Sequence, residues 1–567
     1  MENDSQAVTR VPSIEEQPQY VQHSLQLPST KDLGLLEPSR TVTPSVRSFD
    51  ALPPRRSGWD LRPFHGMVTD VKNRLPYYWS DWKDAWTYRV VPATAMIFFS
   101  NILPGIAFSL DLIETTNQYG VTEVLLSSFM AAFIFSVFAC QPLVIAGVTG
   151  PITVLNKTIY DILKTRSDAP NYLHFIGWVY LWAAILHWIA AIFNAANFLR
   201  YVTRFSCDTF GFYVSWVYLQ YGVQVLTRQF TESPSGTEGA YVSIILALVL
   251  LTAGHLFVAA SQSTFFHRLV RRFFADYGMP ISVVACSALA YWGRFNTSKP
   301  ATLPTAGAYN PAGGREWLVR FWELPAKWVG IAFPFGLVLF ILFFFDHNVS
   351  SLIAQGSEFP LRKPPGFHWD FFWLGITTFI AGLIGVPAPN GLIPQAPMHT
   401  QSLVVMGVKS KDDEEIGTSA DGEKALGGVR EGVEHPIAVI EQRGVLAGLF
   451  APTHSWFMGT DALRGSGVTA KFLYLIQDDS LVPLHEPLRK VRPSMIWLFL
   501  AIELVGFGAT MAITQTIAAI GFPIVIFLLI PVRTHIIPLL PFTQEELAIL
   551  DGPTASPFTM ESVGGSI

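Results

Sequence analysis

The sequence predicts an all-α polytopic membrane protein, and three observations carry this prediction. Of its 567 residues, 50% are hydrophobic and only 14% are charged, whereas soluble domains are typically about a quarter charged. Apolar stretches of roughly the length that crosses a bilayer as a helix recur along most of the chain. Two further apolar segments are interrupted by glycine and proline, as in transporters that contain discontinuous membrane helices.

The composition also limits the function. The net charge of -5 offers no strongly basic surface, so a nucleic-acid partner is not expected. The three cysteines lie in apolar stretches, and the sequence has neither the ligand spacing of a metal site nor a nucleophile motif. We therefore expect a protein that is not an enzyme and that has no cofactor and no metal.

Three parts are predicted along the chain. Residues 1–63 are rich in Ser, Pro and charged side chains and are expected to form a disordered cytosolic tail. Residues 64–540 carry the apolar segments and form the membrane domain. Residues 541–567 are expected to be a cytosolic tail.

The uninterrupted membrane spans follow from hydropathy. A final apolar block is too long for one span of about twenty residues and long enough for two short ones. Basic residues cluster in the loops near 200, 270, 362 and 490, and the positive-inside rule places these loops in the cytosol. The predicted spans are 91–113, 121–141, 173–197, 208–227, 240–261, 280–293, 327–355 and 371–386, followed by the block 495–531.

The two broken segments are "QPLVIAGVTGPITVLNKTIYDIL" (141–163) and "GLIGVPAPNGLIPQAPMHTQSLVVM" (382–406). Each begins as a short extended run and continues as a short helix, with Pro151, and Pro394 or Pro397, suited to the first helical turn. Thr149 is expected to cap the first of these helices. Two helix N-termini that face one another offer free N–H donors and a positive field, which is an anion site. The alternative is a pair of kinked structural helices.

Asp346 follows eighteen residues, from Trp328 to Phe345, that carry no charge. An acid at this depth in a membrane span is rare and is usually functional. The polar half of the helix end should face the bundle interior; the alternative is an acid neutralised by a structural partner. This half contains Asp346, His347, Ser350, Ser351 and Gln355.

Several motifs resemble the borate exporters of fungi and plants, which belong to the bicarbonate-transporter and anion-exchanger superfamily. They include "GVTGPITVLNKTIYDI", "FFDHNVSSLIAQ", "PNGLIPQAPMHTQSL" and "GFGATMAITQTIAAIGFPIVI". The resemblance implies fourteen segments in two inverted repeats of seven, an elevator-like movement of a core against a gate, and a homodimer formed through the gate. The core is expected at about 91–197 and 327–407, and the gate at about 208–293 and 444–531.

The same resemblance implies the substrate site. Red-cell anion exchangers have Glu at the position of Asp346 and Arg at the position of Gln395. The absence of that fixed positive charge favours a hydroxyl-rich substrate, and Asp346 is also the expected coupling or proton site. The expected substrate contacts are Asn101, Phe108, Thr149, Gly150, Pro151, Asp346, Gln395 and His399.

We thus expect a borate or boric acid efflux transporter that confers boron tolerance, multi-pass in the plasma membrane with a cytosolic N-terminus. The vacuolar membrane is the alternative location. A bicarbonate or other inorganic anion exchanger is the alternative function of the same class. A non-transporting membrane scaffold or sensor is the alternative of another class.

The eleventh membrane segment of the family is missing from this sequence. In the family a long apolar helix follows the "EQR" motif, whereas here Arg443 runs directly into Gly444, and "APTHS" (451–455) interrupts the next span. A mispredicted splice junction explains both features. Sequencing the mature transcript across codons 443–456 tests this explanation.

Overall fold

The computed structural model describes residues 62–232, 236–298, 310–357, 363–403, 467–477 and 486–563, together with residues 359, 361 and 482. Within these ranges the secondary structure is helical apart from one pair of two-residue strands. Nearly all of the predicted tail 1–63 and the whole predicted break at 443–455 lie outside the described residues. Both therefore stay predictions.

The first half of the described chain leads from two short helices into a series of long ones. Helix ends coincide with residues that suit them: the Asn171 side chain accepts N–H bonds at the start of α6, and left-handed Asn117 and Asn194 end α3 and follow α6. The elements are α1 His65–Arg74, α2 Tyr78–Asp84, α3 Val90–Thr116, α4 Val121–Phe138, β1 Ala146–Gly147, α5 Gly150–Lys164, α6 Tyr172–Ile192, α7 Arg204–Glu232, α8 Thr237–Gln262, α9 Arg268–Leu289 and α10 Arg294–Thr297.

The second half repeats the order of a long helix, a shorter helix, a strand and a short helix. Its elements are α11 Ala326–Ala354, α12 Phe367–Ile384, β2 Asn390–Gly391, α13 Gln395–Leu403, α14 Gly467–Ile476, α15 Pro493–Thr514, α16 Phe522–Pro531, α17 Gln544–Leu550 and α18 Pro557–Ser562. Short 3-10 turns at Ile517–Gly521 and Ile537–Leu539 and a π-helical turn at Val532–Ile536 flank α16.

Eight helices among the described residues are long and apolar enough to cross a membrane, which confirms the all-α polytopic class. The block 495–531 divides into two such helices, Pro493–Thr514 and Ala518–Leu539, as its length predicts. Helices α7 and α9 are also long but more polar, and they are not among the eight.

The core that supports the site is built around α6, which packs against α11 and α12. Its large apolar side chains, among them Phe175, Tyr180, Phe343 and Phe371, are fully buried. Helix α4 packs beside α12. The end of α4 lies near the start of α12, where Trp369 Nε1 donates to the Phe138 carbonyl. The two helices that precede the broken segments therefore run antiparallel.

The residues after 540 pack onto this bundle. The Asp551 carboxylate accepts the Phe205 N–H at 2.9 Å, at the start of α7, and the Arg533 guanidinium at 2.6 Å. Ala555 forms an antiparallel bridge with Gly356, just after α11. This segment therefore contacts both α7 and the end of α11.

Candidate functional site

The two broken segments meet in the middle of the fold. Strand β1 pairs antiparallel with β2, with Ala146 opposite Gly391 and Gly147 opposite Asn390. Helix α5 begins three residues after β1, at Gly150, and α13 begins four residues after β2, at Gln395. Because the strands are antiparallel, the two helices leave the pair in opposite directions with both N-termini beside it. The predicted pair of half-helices is present.

Each half-helix begins with proline in its first turn, as predicted. Pro151 lies in the first turn of α5, and Pro397 lies in the first turn of α13, three residues after Pro394. Proline costs little there because the first N–H groups of a helix have no intrahelical partner. The remaining N–H donors of these turns point along the helix axes toward the strand pair.

The prediction that the Thr149 side chain caps α5 is wrong. Thr149 occupies the N-cap position, but its hydroxyl makes no capping hydrogen bond. The hydroxyl is buried and has no hydrogen-bond partner among the described residues. The first N–H groups of α5 are therefore left without a side-chain cap.

Asp346 lies on α11 at the level of the strand pair and is only 1% exposed. Its Oδ2 atom accepts a 2.8 Å hydrogen bond from Nδ2 of Asn390, a residue of β2. Helix α11 passes so close to β2 that an added Cβ on Gly391 would lie 3.1 Å from Cα of His347. The polar half of the helix end is buried, as is most of its apolar half, so burial alone does not distinguish which half faces the interior.

Gln395 is fully buried at the first position of α13. Its Nε2 atom donates to the Ser100 carbonyl at 3.2 Å and to the Tyr218 hydroxyl at 3.3 Å. Its Oε1 atom has no hydrogen-bond partner among the described residues. A buried amide oxygen without a partner is costly, and a substrate hydroxyl at this position would satisfy it.

Phe108 and Gly150 join the other side of the site. The Phe108 ring on α3 lies 5.2 Å from the Tyr218 ring in an edge-to-face arrangement. An added Cβ on Gly150 would lie 3.5 Å from the Phe108 ring and 2.8 Å from Cγ1 of Val217. The start of α5 therefore approaches α7 too closely for a larger residue to fit without a shift, whereas its distance to α3 is an ordinary van der Waals contact.

Asn101 and His399 complete the predicted set. Asn101 is half-buried on α3, and its Oδ1 atom would lie 2.8 Å from a Cβ added at Gly147 in β1. His399 lies one turn after Gln395 and is 3% exposed, and neither ring nitrogen has a hydrogen-bond partner among the described residues. The predicted residues therefore lie on the half-helices, on α3 or on α11, except Thr149, which directly precedes α5.

Three residues of the site are absent from the sequence prediction. Asn390 stands directly before Gly391 in the "PNG" motif, and an amide in this turn next to a buried acid is a usable signal. Ser100 contributes only its carbonyl, which any residue type would supply. Tyr218 lies on α7, 177 residues from Gln395 along the chain, and no sequence pattern singles it out.

The arrangement suits a small oxyanion or a neutral hydroxylated solute. Two helix N-termini supply N–H donors and a positive field. Among the described residues, the hydrogen-bond partners of the Asp346 and Gln395 side chains are an amide, a carbonyl and a hydroxyl, all of them uncharged. No group of three or more His, Cys, Asp or Glu side chains within the described ranges is arranged to hold a metal ion.

A multi-pass bundle in which two half-helices meet at a buried strand pair defines a membrane transporter of the discontinuous-helix class. The chain belongs to the family of HCO3- transporter integral membrane domains, which it matches over residues 62–241 and 233–555. This family is one of membrane transporters.

Relatives agree with this assignment over most of the chain. A transporter of Schizosaccharomyces pombe is 44% identical over 502 residues, 86% of this chain and 95% of that protein. Boron transporter 1 of Saccharomyces cerevisiae is 40% identical over 511 residues, 88% of this chain and 87% of that protein. The band 3 anion transport protein of Homo sapiens is 25% identical over 521 residues, 87% of this chain but only 56% of that protein.

Proposed function

We propose that this protein exports boric acid or borate across the plasma membrane and so confers boron tolerance. One observation carries the proposal: the facing starts of α5 and α13 are lined by uncharged hydrogen-bonding groups, with Gln395 at the first position of α13. Boric acid and borate present several hydroxyl groups, which both donate and accept hydrogen bonds. The 40% identity to Boron transporter 1 supports the same substrate.

The transport movement that we propose is an elevator-like displacement of core against gate. The strand pair and the Asp346–Asn390 bond join α5, α11 and α13 into one unit. The contacts of Gly150 with Val217 and of Gln395 with Tyr218 lie between this unit and α7. In the proposed mechanism these are the contacts that change during transport, while the gate forms the homodimer.

The test measures boron in cells that lack their own boron exporter. Cells expressing this chain should contain less boron and grow at higher boric acid concentrations than cells expressing Asp346→Asn at the same surface abundance. Chloride or bicarbonate exchange without an effect on boron would instead identify an inorganic anion exchanger. Absence of all three fluxes in liposomes containing the folded protein would favour a scaffold or sensor.

A further inference from the structure

Two buried acids lie at the starts of α4 and α12, the helices that precede the broken segments. Glu123 is in the first turn of α4 with its side chain 1% exposed, and Asp370 is in the first turn of α12 and 2% exposed. Because α4 and α12 are antiparallel neighbours, these acids lie at opposite ends of the pair. Neither acid belongs to the substrate site described above.

Asp370 holds the chain that enters the first broken segment. Its Oδ1 atom accepts the Cys140 N–H at 2.6 Å, and its Oδ2 atom accepts the Gln141 N–H at 3.1 Å. Both carboxylate oxygens are therefore used on two successive backbone groups. Hydrogen bonds to an ionised acceptor are the strong ones, so this contact fixes where the segment toward α5 begins.

Glu123 acts on the second broken segment through Arg315. Glu123 Oε1 accepts the Ala312 N–H at 2.6 Å and lies 3.5 Å from Arg315 Nη2. Arg315 in turn donates to the Gly385 carbonyl at 2.6 Å and to the Ile384 carbonyl at 3.3 Å, at the end of α12. The guanidinium thereby satisfies the last carbonyl groups of α12 where the chain turns toward β2.

Two further hydrogen bonds join α4 to the second broken segment and α12 to the end of α4. Ser127 of α4 donates to the Pro387 carbonyl at 2.6 Å, within the second broken segment. Trp369 of α12 donates to the Phe138 carbonyl at 2.7 Å, just before the first broken segment. Each helix thus holds the broken segment that belongs to the other half of the chain.

We infer that Asp370 and the Glu123–Arg315 pair are positioning residues for the substrate site. The segments between them and the half-helices contain only a two-residue strand each, so few contacts determine where Gly150 and Gln395 lie. A displaced entry point moves the N–H donors of the half-helix, and donors must lie within hydrogen-bond range of the substrate to hold it. The inference rests on the proposed transport function for its effect on substrate, but not for its effect on the segments themselves.

The first test measures backbone hydrogen exchange by mass spectrometry in nanodiscs, and it requires no substrate. In Asp370→Asn, an amide NH2 faces one of two N–H donors, so exchange should rise in peptides covering 140–149 and stay at the wild-type level in those covering 385–394. Glu123→Gln and Arg315→Gln should give the reverse pattern. Glu546→Gln, which removes the acid of an ion pair with Arg492 outside both segments, serves as control and should change neither.

The second test measures transport in liposomes, with each variant normalised to the amount of inserted protein. The KM of the transported substrate should rise about tenfold, the loss expected for one charge-assisted hydrogen bond, while Vmax stays near that of the wild type. Because Glu123 acts on the second broken segment through Arg315, the double variant Glu123→Gln/Arg315→Gln should be no worse than the worse single variant. Glu123→Gln combined with Asp370→Asn should multiply their effects because the sites are distant.

Two results would overturn the inference: exchange that is unchanged or that rises uniformly across the protein in all three variants, or an unchanged KM despite normal insertion. Liposomes containing the wild-type protein are assayed with boric acid and with chloride or bicarbonate. Failure on boric acid alone overturns the proposed substrate, and KM is then measured for the anion that is carried. The exchange test decides on the positioning of the segments in every case.

Discussion

The Asn390 amide of β2 donates a 2.8 Å hydrogen bond to the Asp346 carboxylate of α11, which ties the second broken segment to the buried acid. Asp346→Asn keeps the shape and leaves an oxygen to accept this bond, but it removes the ionisable carboxyl group. We expect loss of most transport with folding and membrane insertion largely retained. Boron efflux, normalised to surface abundance, measures the loss.

A matched control for this variant is Asp276→Asn, which removes another buried acid, the partner of Arg89 at 2.7 Å. It should transport more than Asp346→Asn at equal abundance. Export at the normal rate by Asp346→Asn would show that this acid takes no part in the mechanism.

Gln395→Arg should impair boron export and favour fully charged anions. The longer, charged side chain would replace the amide at the first position of α13, deepen the positive field there and crowd a hydroxylated substrate. Liposome assays of boric acid and chloride flux measure the change in preference. Tyr218→Phe, which removes one hydrogen-bond partner of Gln395 without adding charge, is the control and should show no gain of chloride flux. Unchanged boron export would contradict a substrate site at residue 395.

The sequence predicts the local features of the site well. The apolar runs locate the long helices, and the positions of Thr149, Pro151 and Pro397 locate the starts of the two half-helices. Each of these features depends on residues close together in the chain, and helix periodicity and proline geometry are local properties. The burial of Asp346 follows in the same way from the eighteen uncharged residues before it.

The contacts across the fold could not be predicted in this way. The pairing of Asn390 with Asp346 depends on the register of β1 against β2, and two-residue strands carry no alternation pattern that sets a register. Thr149 occupies the N-cap position of α5 without making the expected capping bond, an outcome that its local sequence does not reveal. Tyr218 reaches the site only through the packing of α7.

The Glu546–Arg492 ion pair gives a pH-dependent contribution to stability. Arg492 donates to Glu546 through Nε at 2.7 Å and through Nη2 at 2.8 Å, and the Thr543 N–H donates at 2.9 Å. The Arg492 guanidinium, with these backbone bonds, holds the pKa of Glu546 well below its usual range. A carboxyl whose pKa is lowered by folding stabilises the folded state above its unfolded pKa and loses this contribution as pH falls toward the folded value.

Glu546→Gln should therefore lower the thermal unfolding temperature at pH 7. The difference from wild type should narrow as pH falls below about 4.3, the unfolded pKa of glutamate. Melting curves of both proteins in detergent, recorded from pH 7 to below the unfolded pKa of glutamate, measure the difference in unfolding temperature. A difference that is constant with pH would show that the ion pair contributes nothing through its charge.

Gly150→Ala should disturb a close approach between a half-helix and α7. The added Cβ would lie 2.8 Å from Cγ1 of Val217, well inside van der Waals contact, so α5 and α7 must separate or a side chain must move. Overpacking of this kind typically costs about 1–3 kcal/mol. We expect a lower thermal unfolding temperature and slower transport, measured on purified protein and in liposomes.

Two variants separate the steric effect from the loss of glycine itself. Gly211→Ala on α7 places its Cβ 3.9 Å from Cγ2 of Ile393, an ordinary contact, and should leave stability and transport near wild type. Gly150→Ala combined with Val217→Ala removes the clashing methyl group and should recover most of the loss. If the second substitution gives no recovery, the contact between Gly150 and Val217 is not what requires a glycine at the start of α5.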